Sequence, residues 1–124
     1  MQTSKLTSSA NKPIKCCSLT NAVRHGRCGS DPRIVAEFIR KYTVSSANAS
    51  REEQWNAQAD IVKVLFETIA DPLLAECWRK WCMQCCCMPL HTLRCLSLTP
   101  EESANTAQLE LELRTLNEYY ISQT

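Results

Sequence analysis

Four helix-start signals divide the chain from residue 31 onwards, and they constrain its fold more than any other feature. Asp31-Pro32 and Asp71-Pro72 each place an Asp at the cap position before a Pro, which is favoured at the first helical position. Ser50 and Thr99 each stand three residues before a glutamate, which is the capping-box pattern. The 124 residues include only two Gly and five Pro, too few for an array of tight-turned strands. We therefore expect a mostly α fold, a small helical domain of about four helices.

Apolar stripes with helical spacing follow both capping boxes. The first stripe predicts core or a helix–helix seam and consists of Trp55, Ala59, Val62, Phe66 and Ile69. The second stripe predicts the seam of a helical hairpin or of a dimer and consists of Leu109, Leu113, Leu116 and Tyr120. It covers too few heptads for an independent coiled coil, so a homodimer supported by other elements is expected.

These patterns divide the chain into three parts. Residues 1–30 are predicted to be a flexible, basic, Cys-containing N-terminal segment. Residues 31–98 form the helical domain, whose third helix is expected from Leu73 to about Trp81. The Cys/His cluster at residues 77–95 follows that helix as an irregular segment broken by Pro89. Residues 99–124 form a C-terminal amphipathic helix, expected to run to about Tyr120.

Charge is distributed unevenly along the chain. Residues 1–51 carry nine Lys and Arg against two acids, whereas residues 52–124 carry five against eleven. A basic N-terminal half predicts an anionic partner such as nucleic acid or a phospholipid surface. The alternative is ordinary charge segregation in a chain that pairs its own two halves.

Cysteine usage indicates a reducing compartment. We find no signal-peptide pattern and no apolar run long enough to span a bilayer, so we expect an intracellular protein without a membrane partner. Nine cysteines, an odd number, fit free thiols or metal ligands better than a disulfide framework.

The Cys/His cluster predicts a zinc site. Cys82-x2-Cys85 and His91-x3-Cys95 supply two pairs of zinc's preferred donors at spacings that one chain turn can close on a single ion. Three further cysteines are alternate ligands: Cys77, Cys86 and Cys87. The alternatives to zinc are buried or redox-labile thiols without metal, and S-acylation of cysteines that stand beside tryptophans and leucines. An N-terminal set with no recognised spacing offers a second, weaker site and consists of Cys16, Cys17, His25 and Cys28.

Basic residues next to the cluster predict RNA contacts. Trp78-Arg79-Lys80-Trp81 interleaves two indoles with two cations, a pattern that can stack bases while holding phosphates. The alternative is that both indoles pack inward while the two cations are simply exposed. The remaining candidate phosphate contacts are Arg94, Lys15, Arg24 and Arg27. The phosphate-loop, nucleophile-elbow, zinc-protease and dinucleotide-binding motifs are all missing, so we expect no enzyme.

Two resemblances follow from these residues. The C-x2-C-x5-H-x3-C frame from Cys82 to Cys95 resembles the retroviral zinc knuckle, which places its histidine one position earlier and has glycines at the positions of Cys86 and Leu90. The whole layout resembles the small cysteine-rich silencing suppressors of plant RNA viruses, the benyvirus 14-kDa protein type. That resemblance implies zinc binding, RNA binding, self-association, host silencing factors as possible partners, and a place in the host cytoplasm and nucleus or nucleolus.

The function expected from the sequence is that of a zinc-stabilised RNA-binding protein, a viral suppressor of host RNA silencing. Two alternatives stay open at this point. One is a helical protein–protein adaptor that does not bind RNA, and the other is a peripheral membrane protein held by S-acylated cysteines in the range 85–87.

Overall fold

The computed structural model describes residues 19–26 and 31–121, and these are mostly helical with no strand among them. Residues 19–24 are helical. The helices that follow are α1 (Arg33–Ser45), α2 (Arg51–Ile69), α3 (Glu76–Cys85), α4 (Cys87–Leu96) and α5 (Pro100–Leu116), which continues into a π-helical turn at Asn117–Ile121. The predicted mostly α fold is confirmed for this part of the chain. The predicted N-terminal segment, residues 1–30, lies largely outside the described residues.

Both predicted capping boxes are formed. Ser50 Oγ accepts the Glu53 N–H at 3.2 Å, and Glu53 Oε1 accepts the Ser50 N–H at 3.2 Å. Thr99 and Glu102 make the same reciprocal pair at the start of α5, whose first residue is Pro100. Each box satisfies two backbone donors that the first helical turn leaves unpaired.

The two Asp-Pro signals have different outcomes. Asp31 Oδ1 accepts the Arg33 N–H at 2.9 Å, and α1 begins at Arg33, one residue after the predicted first helical residue, because Pro32 occupies the cap position. Asp71 Oδ1 likewise accepts the Leu73 N–H at 2.9 Å, but α3 begins only at Glu76. The predicted start at Leu73 is wrong because Asp71 closes a local turn instead of capping the helix.

The predicted irregular structure of the Cys/His cluster is also wrong, because α3 and α4 occupy it and only Cys86 separates them. Pro89 has no N–H to donate to the carbonyl of Cys85, which interrupts the helical hydrogen bonding at that turn. The break is confined to one residue because Pro89 falls in the first turn of α4, where a missing N–H costs nothing. The N–H of Cys86 bonds back to Cys82 O at 3.2 Å, and Cys86 O accepts from Leu90 N at 3.1 Å.

Helix α2 is the centre of the fold and packs against each of the four other helices. Its predicted stripe is confirmed as core, since all five members are buried. Gln58, Ile61, Leu65 and Thr68 are buried as well, so α2 is enclosed over most of its circumference. Helices α3 and α4 complete the core with Trp78, Cys82, Cys86, Leu90 and Leu93. Cysteine acts at two of these positions as a small apolar residue.

Candidate functional site

The four predicted zinc ligands occupy two different environments. Cys82 is fully buried on α3 and Cys85 is half-buried at its end, whereas His91 and Cys95 are exposed on α4. His91 Nε2 lies 3.6 Å from Cys95 Sγ. Over residues 19–26 and 31–121, no three His, Cys, Asp or Glu side chains are grouped so that they could hold a metal ion. The structure therefore brings one pair of the predicted ligands together, and zinc binding stays a prediction.

Burial controls the ionisation of the inner cysteines. It raises the pKa of Cys82 to about 12, with a smaller contribution from the neighbouring Cys85. Burial also raises the pKa of Cys86, and the Cys82, Cys85 and Cys87 thiols add to that effect. The pKa of Cys85 is raised by burial and by Cys87. Zinc ligands are thiolates, so metal binding at Cys82 or Cys86 would require a proton to leave an apolar core.

A row of exposed side chains on α4 extends the predicted His91–Cys95 pair to Cys87, across a proline that predicted a break. Cys87, His91 and Cys95 follow one another at four-residue intervals, and all three are exposed. The spacing places them along one face of the helix. Pro89 suggested a broken helix between Cys87 and His91. The signal that could have revealed the row is the tolerance of the first helical turn for proline.

The Trp78–Trp81 segment packs its first indole inward. Trp78 is buried and donates from Nε1 to the Val23 carbonyl at 2.9 Å. Trp81 is 36% exposed and donates from Nε1 to the Pro32 carbonyl at 2.8 Å. Gly26 lies so close to Trp78 that an added Cβ would stand 2.0 Å from Cε2 of the indole. Both indoles thus tie α3 to the N-terminal side of the fold.

The predicted phosphate contacts within the described residues all have partners in this chain. Arg79 donates from Nε to Ile69 O at 2.7 Å, satisfying a carbonyl at the end of α2. Lys80 pairs with Glu76 at 3.2 Å, and Arg94 pairs with Glu110. Arg24 pairs with Asp71 at 2.8 Å and with Glu67 at 3.7 Å. Arg24, Lys80 and Arg94 are thus paired with carboxylates, and Arg79 is held by a carbonyl.

Several predicted residues fall outside the described part of the chain. These are Lys15, Arg27, Cys16, Cys17 and Cys28. His25, the remaining member of the N-terminal set, is exposed. No arrangement of that set follows from the structure.

The predicted C-terminal seam packs mainly against its own chain. Leu109, Leu113 and Leu116 are half-buried and contact the core cluster. The side chain of Tyr120 is not among those described. Leu111, on another face of α5, is 51% exposed. The stripe is therefore used within the chain, and a homodimer stays a prediction.

An apolar groove lies between α1 and the α3–α4 junction. Its volume is about 650 Å³. The lining residues that matter below are Ile39, Thr43, Val44, Cys85, Cys87 and Met88. Two of the clustered cysteines thus face a concave apolar surface.

Comparison with known proteins gives no match to a family model, a curated protein or a solved structure. Among the described helices, none is both long and apolar enough to cross a membrane.

Proposed function

We propose that this chain is a non-enzymatic RNA-binding protein and a viral suppressor of host RNA silencing, whose phosphate contacts come mainly from its N-terminal basic segment. The observation that carries the proposal is a difference between two parts of the chain. Residues 1–30 contain five Lys and Arg and no Asp or Glu. In the helical part, the predicted phosphate contacts Arg79, Lys80 and Arg94 each have an in-chain partner.

The charge pattern supports this division of labour. Phosphate binding releases counterions, and a cation already paired with a carboxylate has less to contribute to that release. A segment of one charge sign does not pair with itself. Arg24, one of its five cations, pairs with Asp71 and Glu67 of the helical part, so we assign the phosphate contacts to the other four. The helical part of the chain would then hold the basic segment in place and form the contacts of self-association. Self-association is what the resemblance to the benyvirus 14-kDa protein type implies.

RNA binding is tested by fluorescence anisotropy with a 21-nucleotide RNA, single- and double-stranded, over a salt series. The test variant is Lys15→Glu, Arg27→Glu. The matched control is Lys63→Glu, Arg114→Glu, which makes the same charge change at two exposed positions of the helical body. We expect the test variant to lower affinity by roughly tenfold or more and to reduce the slope of log affinity against log salt by about 2.

Two results would overturn the proposal. One is an affinity that does not change with salt. The other is an equal loss in the control variant, which would mean that net charge and not the N-terminal segment governs binding. A silencing-suppression assay in leaf tissue with the same two variants then connects RNA binding to the biological activity.

Zinc belongs to the same proposal, with Cys82, Cys85, His91 and Cys95 as first candidates and Cys77, Cys86 and Cys87 as alternates. The short distance between His91 and Cys95 supports zinc binding, because two residues four apart on a helix can bind one ion. The fully buried Cys82 does not fit in the described arrangement, and its thiol would have to leave the core to join them.

Metal analysis of protein purified under reducing conditions tests this part. We expect about one zinc per chain, lost in His91→Ala, Cys95→Ser and retained in Cys77→Ser. Protein without zinc, or zinc that survives loss of His91 and Cys95, would contradict it.

A helical adaptor is the second candidate, favoured by a shallow groove of about 400 Å³ between the end of α2 and α5. Phe66, Leu111 and Leu116 contribute to its lining. For an adaptor that does not bind RNA, Leu111→Glu should abolish an interaction made through this face, and the unchanged chain should show no salt-dependent RNA binding. An interaction that persists in Leu111→Glu would remove this candidate.

A further inference from the structure

The groove between α1 and the α3–α4 junction has the size of a small-molecule site. Its volume of about 650 Å³ falls within the range of about 300–1,000 Å³ found for ligand pockets. Val44 and Met88 line it and are 59% and 68% exposed. Two large apolar side chains are thus presented to solvent at the border of one concavity.

Three polar side chains of the lining bond within the protein, Arg40 pairs with Glu37, and Gln84 is exposed. Gln58 donates from Nε2 to Thr43 Oγ1 at 2.9 Å, and Thr43 Oγ1 donates to Ile39 O at 2.8 Å. Thr92 Oγ1 donates to Met88 O at 3.1 Å. These bonds leave few polar groups for a ligand, so the surface favours an alkyl chain over a polar molecule.

Two thiols belong to the same lining. Cys87 is exposed and Cys85 is half-buried. Cys77 and Cys95 are also exposed, but they do not line the groove. A nucleophile beside an apolar cavity can react with a molecule whose alkyl part the cavity holds, because binding places the reacting atoms together.

We propose that Cys87 is an S-acylation site and that the fatty acyl chain it carries lies in this groove. The acyl donor is a fatty acyl-coenzyme A thioester. The Cys87 thiolate attacks the thioester carbonyl, a carbon–sulfur bond to Cys87 forms, and the carbon–sulfur bond to coenzyme A breaks. Coenzyme A leaves as a thiolate and takes up the proton that Cys87 released, so no oxidant or reductant is needed.

This placement differs from that of a membrane anchor. A single acyl chain gives only marginal, reversible membrane binding. A chain held in the groove is withdrawn from the bilayer as well. It also covers Val44 and Met88, so acylation would remove an exposed apolar patch from the surface.

The test compares chain lengths on the full-length protein. The protein is incubated with decanoyl-coenzyme A below its micelle concentration, or with acetyl-coenzyme A. Tandem mass spectrometry locates the acyl group within the tryptic peptide 81–94, which also contains Cys82, Cys85 and Cys86, and the peptide that begins at Cys95 gives the reference. Hydroxylamine release identifies the thioesters. We expect the ratio of Cys87 to Cys95 acylation to be about tenfold or more higher for the decanoyl donor than for the acetyl donor.

Two variants show whether the groove causes that preference. Val44→Asp places a charge in the groove at an exposed position, and we expect it to return the decanoyl ratio to the acetyl value. Leu73→Asp makes a comparable change at a leucine that is 91% exposed and outside the groove, and the ratio should stay high. Equal ratios for both donors, or a decanoyl preference that survives Val44→Asp, would overturn the proposal.

Vesicle sedimentation separates groove from membrane. Protein that carries a palmitoyl chain on Cys87 is mixed with an excess of phosphatidylcholine vesicles and centrifuged, because a decanoyl chain binds a bilayer too weakly to sediment the protein wherever it lies. We expect the palmitoylated protein to stay in the supernatant to the same extent as the unacylated chain. Sedimentation with the vesicles would place the chain in the bilayer and would also overturn the proposal.

Discussion

The Cys/His segment has an inner and an outer face, and the two differ in every property that decides chemistry. Cys82 and Cys86 lie on the inner face, fully buried and with raised pKa values. Cys87, His91 and Cys95 lie on the outer face of α4 and are exposed. Cysteines that are neighbours in the sequence therefore have different environments: helical phase assigns some of them to the core and others to solvent.

Placing a charge at a buried position of this segment should cause the largest loss of stability. Cys86 and Cys87 are adjacent in sequence and opposite in environment, which makes Cys86→Asp and Cys87→Asp a matched pair. We expect Cys86→Asp to lower the free energy of unfolding by more than about 4 kcal/mol, because a carboxylate would be desolvated without a partner. Cys87→Asp should change it by less than about 1 kcal/mol. Urea denaturation followed by circular dichroism measures both, and equal losses would refute the two-faced arrangement.

Overpacking beside Trp78 is the next largest effect. The added Cβ of Gly26→Ala would stand 2.0 Å from the indole Cε2, so the ring or the backbone must shift. We expect a loss of roughly 1–3 kcal/mol in the free energy of unfolding. The neighbouring His25→Ala, at an exposed position, is the control and should be nearly neutral. A neutral Gly26→Ala would mean that Trp78 does not pack inward as described.

Alkaline pH gives a smaller and more specific effect. The pKa of Cys82 is about 12 in the fold against an ordinary value of 9.0, so the folded state holds the proton more tightly. The stabilisation is therefore complete below pH 9 and is lost as pH rises from about 9 towards 12. The free energy of unfolding should fall by about 1 kcal/mol between pH 9 and pH 10 because of this group.

The control for that experiment is Cys82→Ala, which removes the group while lysines and tyrosines still titrate. The pH dependence of the wild-type chain minus that of Cys82→Ala isolates the contribution of Cys82. A difference of zero would show that Cys82 is not held as a buried neutral thiol.

Local signals in the sequence predicted much of the fold. The Ser50 and Thr99 capping boxes were recognisable because each is a short pattern of hydrogen-bonding residues whose partners lie three positions away. The α2 stripe was recognisable because its period matches the helix. The start of α3 could not be recognised in the sequence, because an Asp before a Pro caps a turn as readily as a helix. Only the packing around Asp71 decides between the two.

The environment of the cysteines could not be predicted for a different reason. Cysteine serves as a metal ligand, a nucleophile or a small core residue, and its spacing does not distinguish these uses. Pro89 predicted a break in the helix, but a proline in the first turn of α4 is compatible with that helix. The partners of Arg79 and Arg94 could not be predicted from the sequence either. They lie at the end of α2 and on α5, and only the packing of the helices brings them close.

The most direct test of the central claim is pulsed alkylation of the folded protein after a chelator has removed any bound zinc, with each cysteine quantified by mass spectrometry over time. The account predicts rapid modification of Cys77, Cys87 and Cys95 and at least roughly a hundredfold slower modification of Cys82 and Cys86. Adding zinc should slow Cys95 if the His91–Cys95 pair binds the metal. Equal protection of Cys82, Cys85 and Cys95 without added zinc, with Cys86 and Cys87 reactive, would contradict the division into inner and outer faces.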